Sequence, residues 1–414
     1  MRVAYLNPCG QLGGAETSLR ELLAGVRTEA PHWELWLVLG EDGPIAAEAR
    51  ALGVNVVVAA LPPVLARLGD SPGSLPALLG NLLGASRAAL QYRRALAAIL
   101  DRIQPNIIHT NGFKMHALGA WIHRRRTALV WHIHDYVSPR PTMSRLLRLL
   151  QKACTVAIVN SNSVAADVRS LLPKLRVVPL YNAVDLQRFS PAGARLDLDM
   201  LSGLEPAGPE TIRIGLIATF ARWKGQEIFL QAMARLSGET GIRGYIIGGP
   251  IYQTDNSQWS LGELQARAAQ LGLSSRVGFT GFVADTSAAM RSLDIVVHAS
   301  TQPEPFGMVI AEAMACGTAL IASQAGGAAE LFVAGENALG HAPGDAAALA
   351  EQMRRLATGA ALRSRLGAAA RNAAVKRYDR RRLARELLEV YQEIAGNALT
   401  AGQAAEMQSC TVAE

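Results

Sequence analysis

The sequence predicts an α/β protein built from two doubly wound domains. Apolar runs of strand length alternate with helical patterns along the chain, and this alternation forms two separate series. Strands that are apolar throughout are typical of parallel sheets covered by helices on both faces. The chain has 414 residues, which exceeds the roughly 250–300 residues at which a single core stops growing. Two domains are therefore expected.

The two series of elements set the expected domain limits. The first series has predicted strands at 3–6, 33–39, 54–59, 107–109, 128–133 and 156–160, with helical patterns such as 17–26 and 87–103. The second has strands at 212–217, 244–247, 277–280, 295–299 and 319–322. A stretch rich in Pro and Gly at 190–209 separates them. We expect domains at 1–185 and 186–375, a helix at 376–396 and a flexible tail at 397–414.

Charge is distributed unevenly. Hydrophobic residues make up 50% of the chain, which excludes a disordered protein, and the net charge is +7. Residues 87–176 contain 15 basic and 3 acidic side chains. This basic stretch favours an anionic partner such as a phospholipid surface or a phosphorylated substrate. Few aromatic residues interleave with the basic ones, so we expect no nucleic acid partner.

Several features bear on compartment and membrane contact. The leucine-rich stretch 68–86 precedes three arginines and suits an interfacial segment, an apolar acceptor site or an ordinary buried connection. The four cysteines match neither a metal motif nor a disulfide framework, which indicates a reducing compartment. Neither a secretory signal nor an apolar run of about 18 residues is visible. We expect a cytoplasmic protein, with peripheral contact between residues 87–176 and the inner face of an anionic membrane as a hypothesis.

Two motifs in the first domain are candidate binding elements. Gly13 and Gly14 lie between the first strand and the first helix, where backbone N–H groups bind anions, although the spacing is not a dinucleotide fingerprint. The alternative is a plain strand–helix turn. His134 ends a predicted strand and would face the crevice where parallel sheets bind ligands. A hydrogen-bonded core histidine is the alternative for His134 and the favoured interpretation for His132, and a metal site at this pair is disfavoured.

The second domain contains the most specific pattern. Arg222 and Lys224 follow a strand where a helix begins, so they could hold a diphosphate without a metal, or form a solvated basic turn. Glu304 and Glu312 are eight residues apart around the start of an apolar helix. Two carboxylates placed in this way can hold two parts of one ligand. The N–H groups of the helix start, those of Phe306, Gly307 and Met308, can meet its phosphates.

A carboxylate pair of the D-x-D type occurs at Asp197 and Asp199. Some enzymes that use sugar nucleotides hold a divalent cation with such a pair. Here the pair lies in the irregular 190–209 stretch rather than at the end of a strand. We interpret it as structural and expect no metal site.

These motifs together resemble a known family. They are Gly13-Gly14-Ala15-Glu16, His134-Asp135, Tyr181-Asn182-Ala183-Val184-Asp185, Trp223-Lys224-Gly225, Glu304-Pro305-Phe306-Gly307 with Glu312, and Gly326-Gly327-Ala328-Ala329-Glu330. In this order, over about residues 3–396, the chain resembles the retaining glycosyltransferases of family 4, which have the GT-B fold. The resemblance implies two Rossmann-like domains facing a cleft, with the acceptor on 1–185, the donor nucleotide sugar on 186–375, and the C-terminal helix crossing back to the first domain.

The resemblance also implies residue roles. Lys224 would bind the donor diphosphate, Glu312 the ribose and Glu304 the sugar hydroxyls. His134 would contact the transferred sugar. The amides of Gly13, Gly14, Phe306, Gly307 and Met308 would line the phosphates and sugar, and Gly281 and Phe282 would contact the base. Many members have an arginine where this chain has Thr219, so Arg222 is expected to supply that charge.

The expected function follows from the resemblance. It is the metal-independent, cofactor-free transfer of a hexosyl group with retention, most simply from a UDP-sugar, to a lipid-linked or glycan acceptor in cell-envelope or exopolysaccharide synthesis. The alternatives are the same chemistry on a soluble acceptor with GDP-mannose or another donor, a non-catalytic sugar-nucleotide binder, and an epimerase of the same fold.

Overall fold

The computed structural model describes residues 1–66, 75–123, 127–250 and 257–410. Within these ranges it describes the backbone alone for 75–85 and 397–410, and both backbone and side chains elsewhere. The chain divides into two compact units, one formed by Met1–Asn182 with Arg380–Glu414 and the other by Ala183–Asp379. Residues 68–74 of the leucine-rich stretch and 124–126 of the basic stretch lie outside the described residues.

The first unit contains a seven-stranded parallel sheet with strand order β3-β2-β1-β4-β5-β6-β7. Its strands are β1 (Arg2–Asn7), β2 (Glu34–Leu39), β3 (Asn55–Val58), β4 (Ile107–Asn111), β5 (Ala128–Ile133), β6 (Val156–Val159) and β7 (Val177–Pro179). Its helices are α1 (Gly14–Glu29), α2 (Pro44–Ala51), α3 (Pro63–Ala66), α4 (Leu75–Ile103), α5 (Phe113–Ile122), α6 (Pro141–Leu150), α7 (Asn162–Leu171) and α15 (Arg380–Cys410). The strand order reverses direction between β1 and β4, where ligands bind in such sheets.

The last helix packs on the first helix of the same unit. A Cβ built on Gly25 of α1 would overlap the carbonyl oxygen of Arg380, so glycine permits the close approach of the two backbones. Tyr391 on α15 is fully buried. We expected a helix at 376–396 and a flexible tail from 397; in the structure α15 begins at Arg380 and continues to Cys410. The residues after 397 are mostly strong helix formers such as Ala, Gln, Glu and Met.

The second unit contains a six-stranded parallel sheet with strand order β10-β9-β8-β11-β12-β13. Its strands are β8 (Ile212–Ile217), β9 (Ile242–Ile247), β10 (Val277–Gly281), β11 (Ile295–His298), β12 (Ala319–Ser323) and β13 (Leu339–His341). Its helices are α8 (Leu198–Ser202), α9 (Gln226–Ala234), α10 (Leu261–Gln270), α11 (Thr286–Arg291), α12 (Met308–Cys316), α13 (Ala346–Thr358) and α14 (Ala360–Arg377). The strand order reverses here between β8 and β11.

Asp199 fixes the irregular segment that precedes β8. One of its carboxylate oxygens lies 2.5 Å from Arg243 Nη1 and 2.6 Å from Tyr245 Oη, and the other lies 3.3 Å from Arg213 Nη2. Burial raises the pKa of Asp199, but the bonds from Tyr245 and Arg243 outweigh it and lower the pKa to about 2. Asp197 accepts a bond from the Met200 N–H and so caps α8. Both carboxylates of the D-x-D pair therefore have structural partners.

Within the described ranges, no helix combines the length and the apolar character needed to cross a bilayer.

Candidate active site

The turn that carries Lys224 is held against the loop after β11. After β8 the chain forms a 3-10 turn at Arg222–Lys224 and then passes through Gly225, whose φ is +82°. A Cβ on Gly225 would lie 1.9 Å from the Ala299 carbonyl oxygen, so only glycine fits there without a shift. The Thr301 N–H donates to the Trp223 carbonyl at 2.8 Å. These contacts bring Lys224 to the carboxyl end of β11.

Glu304 lies beside Lys224 in the same unit. Lys224 Nζ is 2.5 Å from Glu304 Oε1. His298 Nε2 and Ser300 Oγ lie 2.6 and 2.7 Å from the other oxygen, Oε2. The residue is only 7% exposed. Burial alone would raise the pKa of Glu304, but Lys224 and His298 outweigh it and hold the pKa well below its usual range, so the carboxyl group is ionised.

Backbone bonds fix the start of α12, which carries the rest of the motif. Glu304 forms a parallel bridge with Gly326, and the Gly327 N–H donates to the Glu304 carbonyl at 2.7 Å. Gly307 has a φ of +97° and precedes the first residue of α12, Met308. Glu312 lies four residues further, on the same face of the helix as Met308, and is half-buried. The motif thus places a carboxylate on each side of a helix start.

Phe306 has a packing role in this arrangement. Its ring is buried and meets the Tyr378 ring edge-on, with the ring centroids 6.1 Å apart. Tyr378 in turn donates to the Leu331 carbonyl at 2.6 Å. The side chain of Phe306 therefore holds the start of α12 in place. The ligand contact expected from the sequence involves only the backbone N–H of Phe306.

Arg222 interacts with a different part of the unit. Its guanidinium carbon lies 3.8 Å from the Trp259 ring centroid, and Nη2 lies 3.0 Å from Glu263 Oε1. The structure therefore brings Lys224 to Glu304 and directs Arg222 towards the start of α10. The role of Arg222 in holding a diphosphate remains a prediction.

The turn at Gly281 and Phe282 lies beside the turn after β9. The Gly248 N–H donates to the Gly281 carbonyl at 2.9 Å. The Phe282 side chain is 61% exposed, and its ring covers Gly249, where a Cβ would lie 2.7 Å from it. An exposed aromatic ring next to glycine backbone is a suitable surface for a planar base.

In the first unit, the Gly13 amide already has a partner. Its N–H donates to Glu16 Oε2 at 3.2 Å, and Asn7 Nδ2 lies 3.3 Å from the other oxygen of Glu16. Glu16 therefore closes the start of α1. Gly14 is the first residue of α1, and a Cβ there would meet no atom within 4 Å, which leaves space at this position.

His134 lies at the end of β5 with a buried histidine behind it. Its Nε2 is 3.0 Å from Asn111 Oδ1, and its ring centroid is 4.0 Å from that of His132. Burial lowers the pKa of His134 to about 4, so the ring is neutral near pH 7. Further into the unit, His132 Nδ1 lies 3.1 Å from His109 Nε2, and His109 Nδ1 lies 2.5 Å from Tyr391 Oη. His132 is thus a hydrogen-bonded core residue, as the sequence favoured.

Three residues at the second-unit site were missed by the sequence analysis: His298, Ser300 and Trp259. His298 was visible as a polar residue at the end of an apolar strand, which is the usual place for a ligand-facing group in a parallel sheet. Ser300 carried no signal because a serine in a loop is common, although its partners His298 and Glu304 are close in sequence. Trp259 carried none because its partner Arg222 is distant in sequence. Among the described residues, no group of three or more His, Cys, Asp or Glu side chains is placed to hold a metal ion.

Family comparisons cover both units. Residues 12–188 match Glycosyltransferase Family 4, and residues 206–373 match Glycosyl transferases group 1. The phosphatidyl-myo-inositol mannosyltransferase of Mycobacterium tuberculosis is 32% identical over 229 residues, which are 53% of this chain and 55% of that protein. The lipopolysaccharide core biosynthesis mannosyltransferase of Rhizobium leguminosarum is 33% identical over 170 residues, 41% and 46% of the two chains. The chain thus spans about half the length of the curated relatives it matches.

Solved structures match over nearly the whole chain. Anabaena HepE, solved with UDP, is 25% identical with a TM-score of 0.76, and the match covers 95% of this chain and 100% of that one. The sucrose-phosphate synthase of Thermosynechococcus elongatus is 20% identical with a TM-score of 0.74 over 96% and 99% of the two chains. The latter likeness concerns the fold alone. The family matches cover both parallel-sheet units. They show that the chain belongs to the family 4-like glycosyltransferases of GT-B fold.

Proposed function

We propose that this protein transfers a hexosyl group from a nucleoside-diphosphate sugar to a hydroxyl acceptor with retention of configuration. The observation that carries the proposal is the contact between Lys224 and Glu304 at the carboxyl ends of β8 and β11. It places a cation for a diphosphate beside a carboxylate for sugar hydroxyls, at the point where the strand order reverses.

A UDP-sugar is the first candidate donor. HepE, which this chain resembles over nearly its full length, was solved with UDP and with UDP-glucose. The exposed Phe282 ring beside Gly249 offers a surface for the base. GDP-mannose is the second candidate, because two of the relatives are named mannosyltransferases.

The proposed chemistry requires stabilisation of the leaving diphosphate. The bond from the anomeric carbon to the phosphate oxygen breaks, and a bond to the acceptor oxygen forms on the same face. The acceptor proton passes to the departing phosphate oxygen. Lys224 and the helix starts at α9 and α12 offset the charge that develops, with Arg222 joining them once it leaves Glu263. We therefore propose that no metal and no cofactor are required.

Glu304 and His134 have different proposed tasks. The ionised Glu304 carboxylate accepts hydrogen bonds from hydroxyls of the transferred sugar, and Glu312 accepts them from the ribose. His134 is neutral, so it contacts a sugar hydroxyl without adding a charge near the reacting carbon. The amides of Gly14, Gly307 and Met308 are proposed to line the phosphates and sugar.

The proposed acceptor is a lipid-linked molecule or a glycan reached at a membrane surface. The relatives are named for phosphatidyl-inositol and lipopolysaccharide core substrates. Helix α6 supports surface contact, because Leu149 is 80% exposed and lies beside the exposed side chains of Arg145, Leu146 and Arg148. A helix with exposed apolar and cationic side chains suits an anionic lipid surface.

A thermal-shift screen tests the donor. UDP, GDP, ADP and TDP are each added with and without EDTA, and a ligand at 100 times its Kd adds about 2.7 kcal/mol to the free energy of unfolding. We expect UDP to raise Tm equally with and without EDTA. A shift with GDP alone would select the mannosyl donor, a shift that EDTA abolishes would contradict metal independence, and no shift with any nucleotide would contradict the enzymatic proposal.

A further inference from the structure

We propose that His298 is a positioning residue for Glu304. Together with Ser300 it fixes one carboxylate oxygen of Glu304, so that the other oxygen is presented to the transferred sugar. This inference rests on the proposed function and assigns the two oxygens of Glu304 to different tasks.

The geometry at Oε2 is that of a fixed bond. A carboxylate only accepts, so His298 Nε2 carries the hydrogen that meets Oε2 at 2.6 Å. Ser300 Oγ lies 2.7 Å from the same oxygen, and both donors are almost fully buried. His298 Nδ1 is buried and has no hydrogen-bond partner among the described residues. An unpartnered ring nitrogen costs free energy, so packing alone does not explain a histidine at this position.

The backbone that carries His298 is rigid. His298 ends β11, in which all four residues are buried, and it pairs with Ala322 of β12. His341 Nε2 lies 3.2 Å from the His298 carbonyl oxygen, and His341 is itself buried. A donor at the end of a buried central strand, with its backbone paired to β12 and bonded by His341, can hold a carboxylate in a single orientation.

The other oxygen, Oε1, has an exchangeable partner. Lys224 Nζ reaches it on a flexible four-carbon stem, and the Lys224 side chain is the more exposed member of the pair. A bound diphosphate competes for the Lys224 ammonium and leaves Oε1 for a sugar hydroxyl, while Oε2 stays with His298 and Ser300. Loss of the His298 donor therefore weakens recognition of the sugar and leaves recognition of the nucleotide unchanged.

The test compares a nucleotide with its sugar derivative. Titration calorimetry measures the Kd of UDP and UDP-glucose, and of GDP and GDP-mannose, for the full chain and for His298→Leu, His298→Gln and Ser300→Ala. Leucine removes the donor, whereas the glutamine amide reaches the position of Nε2. We expect His298→Leu to leave UDP affinity within about twofold and to weaken UDP-glucose at least about tenfold, as loss of orienting contacts does elsewhere. We expect His298→Gln to restore most of that loss.

Each result bears on one proposal. Equal loss of UDP and UDP-glucose in His298→Leu, or unchanged UDP-glucose affinity, would overturn the positioning role. Should the leucine variant not fold, Ser300→Ala removes the second donor to Oε2 and is expected to lower UDP-glucose affinity about threefold with UDP unaffected; no selective loss would overturn the assignment. Wild-type protein that binds none of the four ligands would overturn the proposed function instead.

The pH profile separates positioning from acid–base chemistry. A hydrogen-bond donor acts in the same way whether or not it titrates, so His298→Gln should keep the shape of the wild-type profile for turnover of UDP-glucose. Loss of one limb of the profile in His298→Gln would show that His298 exchanges protons and would overturn the positioning role.

Discussion

A Cβ placed on Gly225 would lie 1.9 Å from the carbonyl oxygen of Ala299. This contact sets how closely the turn with Lys224 approaches the loop that leads to Glu304. Gly225→Ala is expected to lower Tm and to weaken nucleotide binding, because the turn must move away from β11. Thermal melts and UDP titration measure both effects.

Gly272→Ala is the matched control for Gly225→Ala. Gly272 also has a positive φ, +70°, but a Cβ there meets no atom within 4 Å. The control is expected to cost only about 1–2 kcal/mol, the cost of the left-handed conformation, and to leave UDP binding unchanged. Equal losses in both variants would show that the contact with Ala299 is unimportant.

Substitution of Lys224 should mainly change the Kd of UDP, whereas substitution of Glu304 should mainly change kcat. Lys224→Met removes the proposed diphosphate cation, so we expect the Kd of UDP to rise about tenfold or more. Glu304→Gln keeps the shape of the side chain and removes its charge, so we expect kcat to fall by about 100-fold while UDP binding survives. Calorimetry and turnover assays measure the two effects, and small, equal losses in both variants would contradict the role assignment.

The buried histidines of the first unit predict acid sensitivity. Burial lowers the pKa of His109 from 6.5 to about 3. Between these values the unfolded chain binds one more proton than the folded chain, so stability is full above about pH 6.5 and falls with acid. Between these two pKa values, His109 should make the free energy of unfolding fall by up to about 1.4 kcal/mol for each pH unit of acidification. Unfolding of wild type and His109→Gln between about pH 7 and about pH 4 measures this, and an unchanged slope would contradict it.

Helix α6 predicts binding to anionic lipid. The double variant Arg145→Gln with Arg148→Gln should reduce binding to vesicles containing phosphatidylglycerol by about 1 kcal/mol per arginine, and added salt should weaken binding of the wild type. Leu149→Ser should reduce binding without changing the salt dependence. Leu261→Ser, at a half-exposed leucine of α10, is the control. Activity on lipid acceptors with no vesicle binding in sedimentation assays would contradict the membrane hypothesis.

Much of the fold was predictable because long, apolar strands give a strong signal. The central strands β4, β5, β11 and β12 are buried along most of their length, and their runs of Val, Ile, Leu and Ala are visible in the sequence. The edge strands β7 and β13 were missed because each has three residues, too few to show a period. Helix α15 was predicted from its apolar face. Its C-terminal end was not predicted, because the residues after 397 show no apolar face.

The site was predictable only as a set of motifs. Lys224 and Glu304 were recognised separately, 80 positions apart, and their contact depends on the close approach of Gly225 to Ala299. The contacts of Arg222 could not be predicted for the same reason, because its partners Trp259 and Glu263 lie at the start of α10, outside the motif. Tertiary contacts of this kind leave no local pattern in a single sequence.

The return of α15 to the first unit has a consequence for folding during synthesis. A ribosome releases residues 183–379 before the helix that completes the first unit, so the second unit has all of its own chain while the first still lacks α15. Until Tyr391 arrives, His109 lacks the phenol that it bonds, and the face of α1 around Gly25 stays uncovered. The N-terminal unit is therefore the last to be finished, and truncations near the C-terminus should damage it rather than its neighbour.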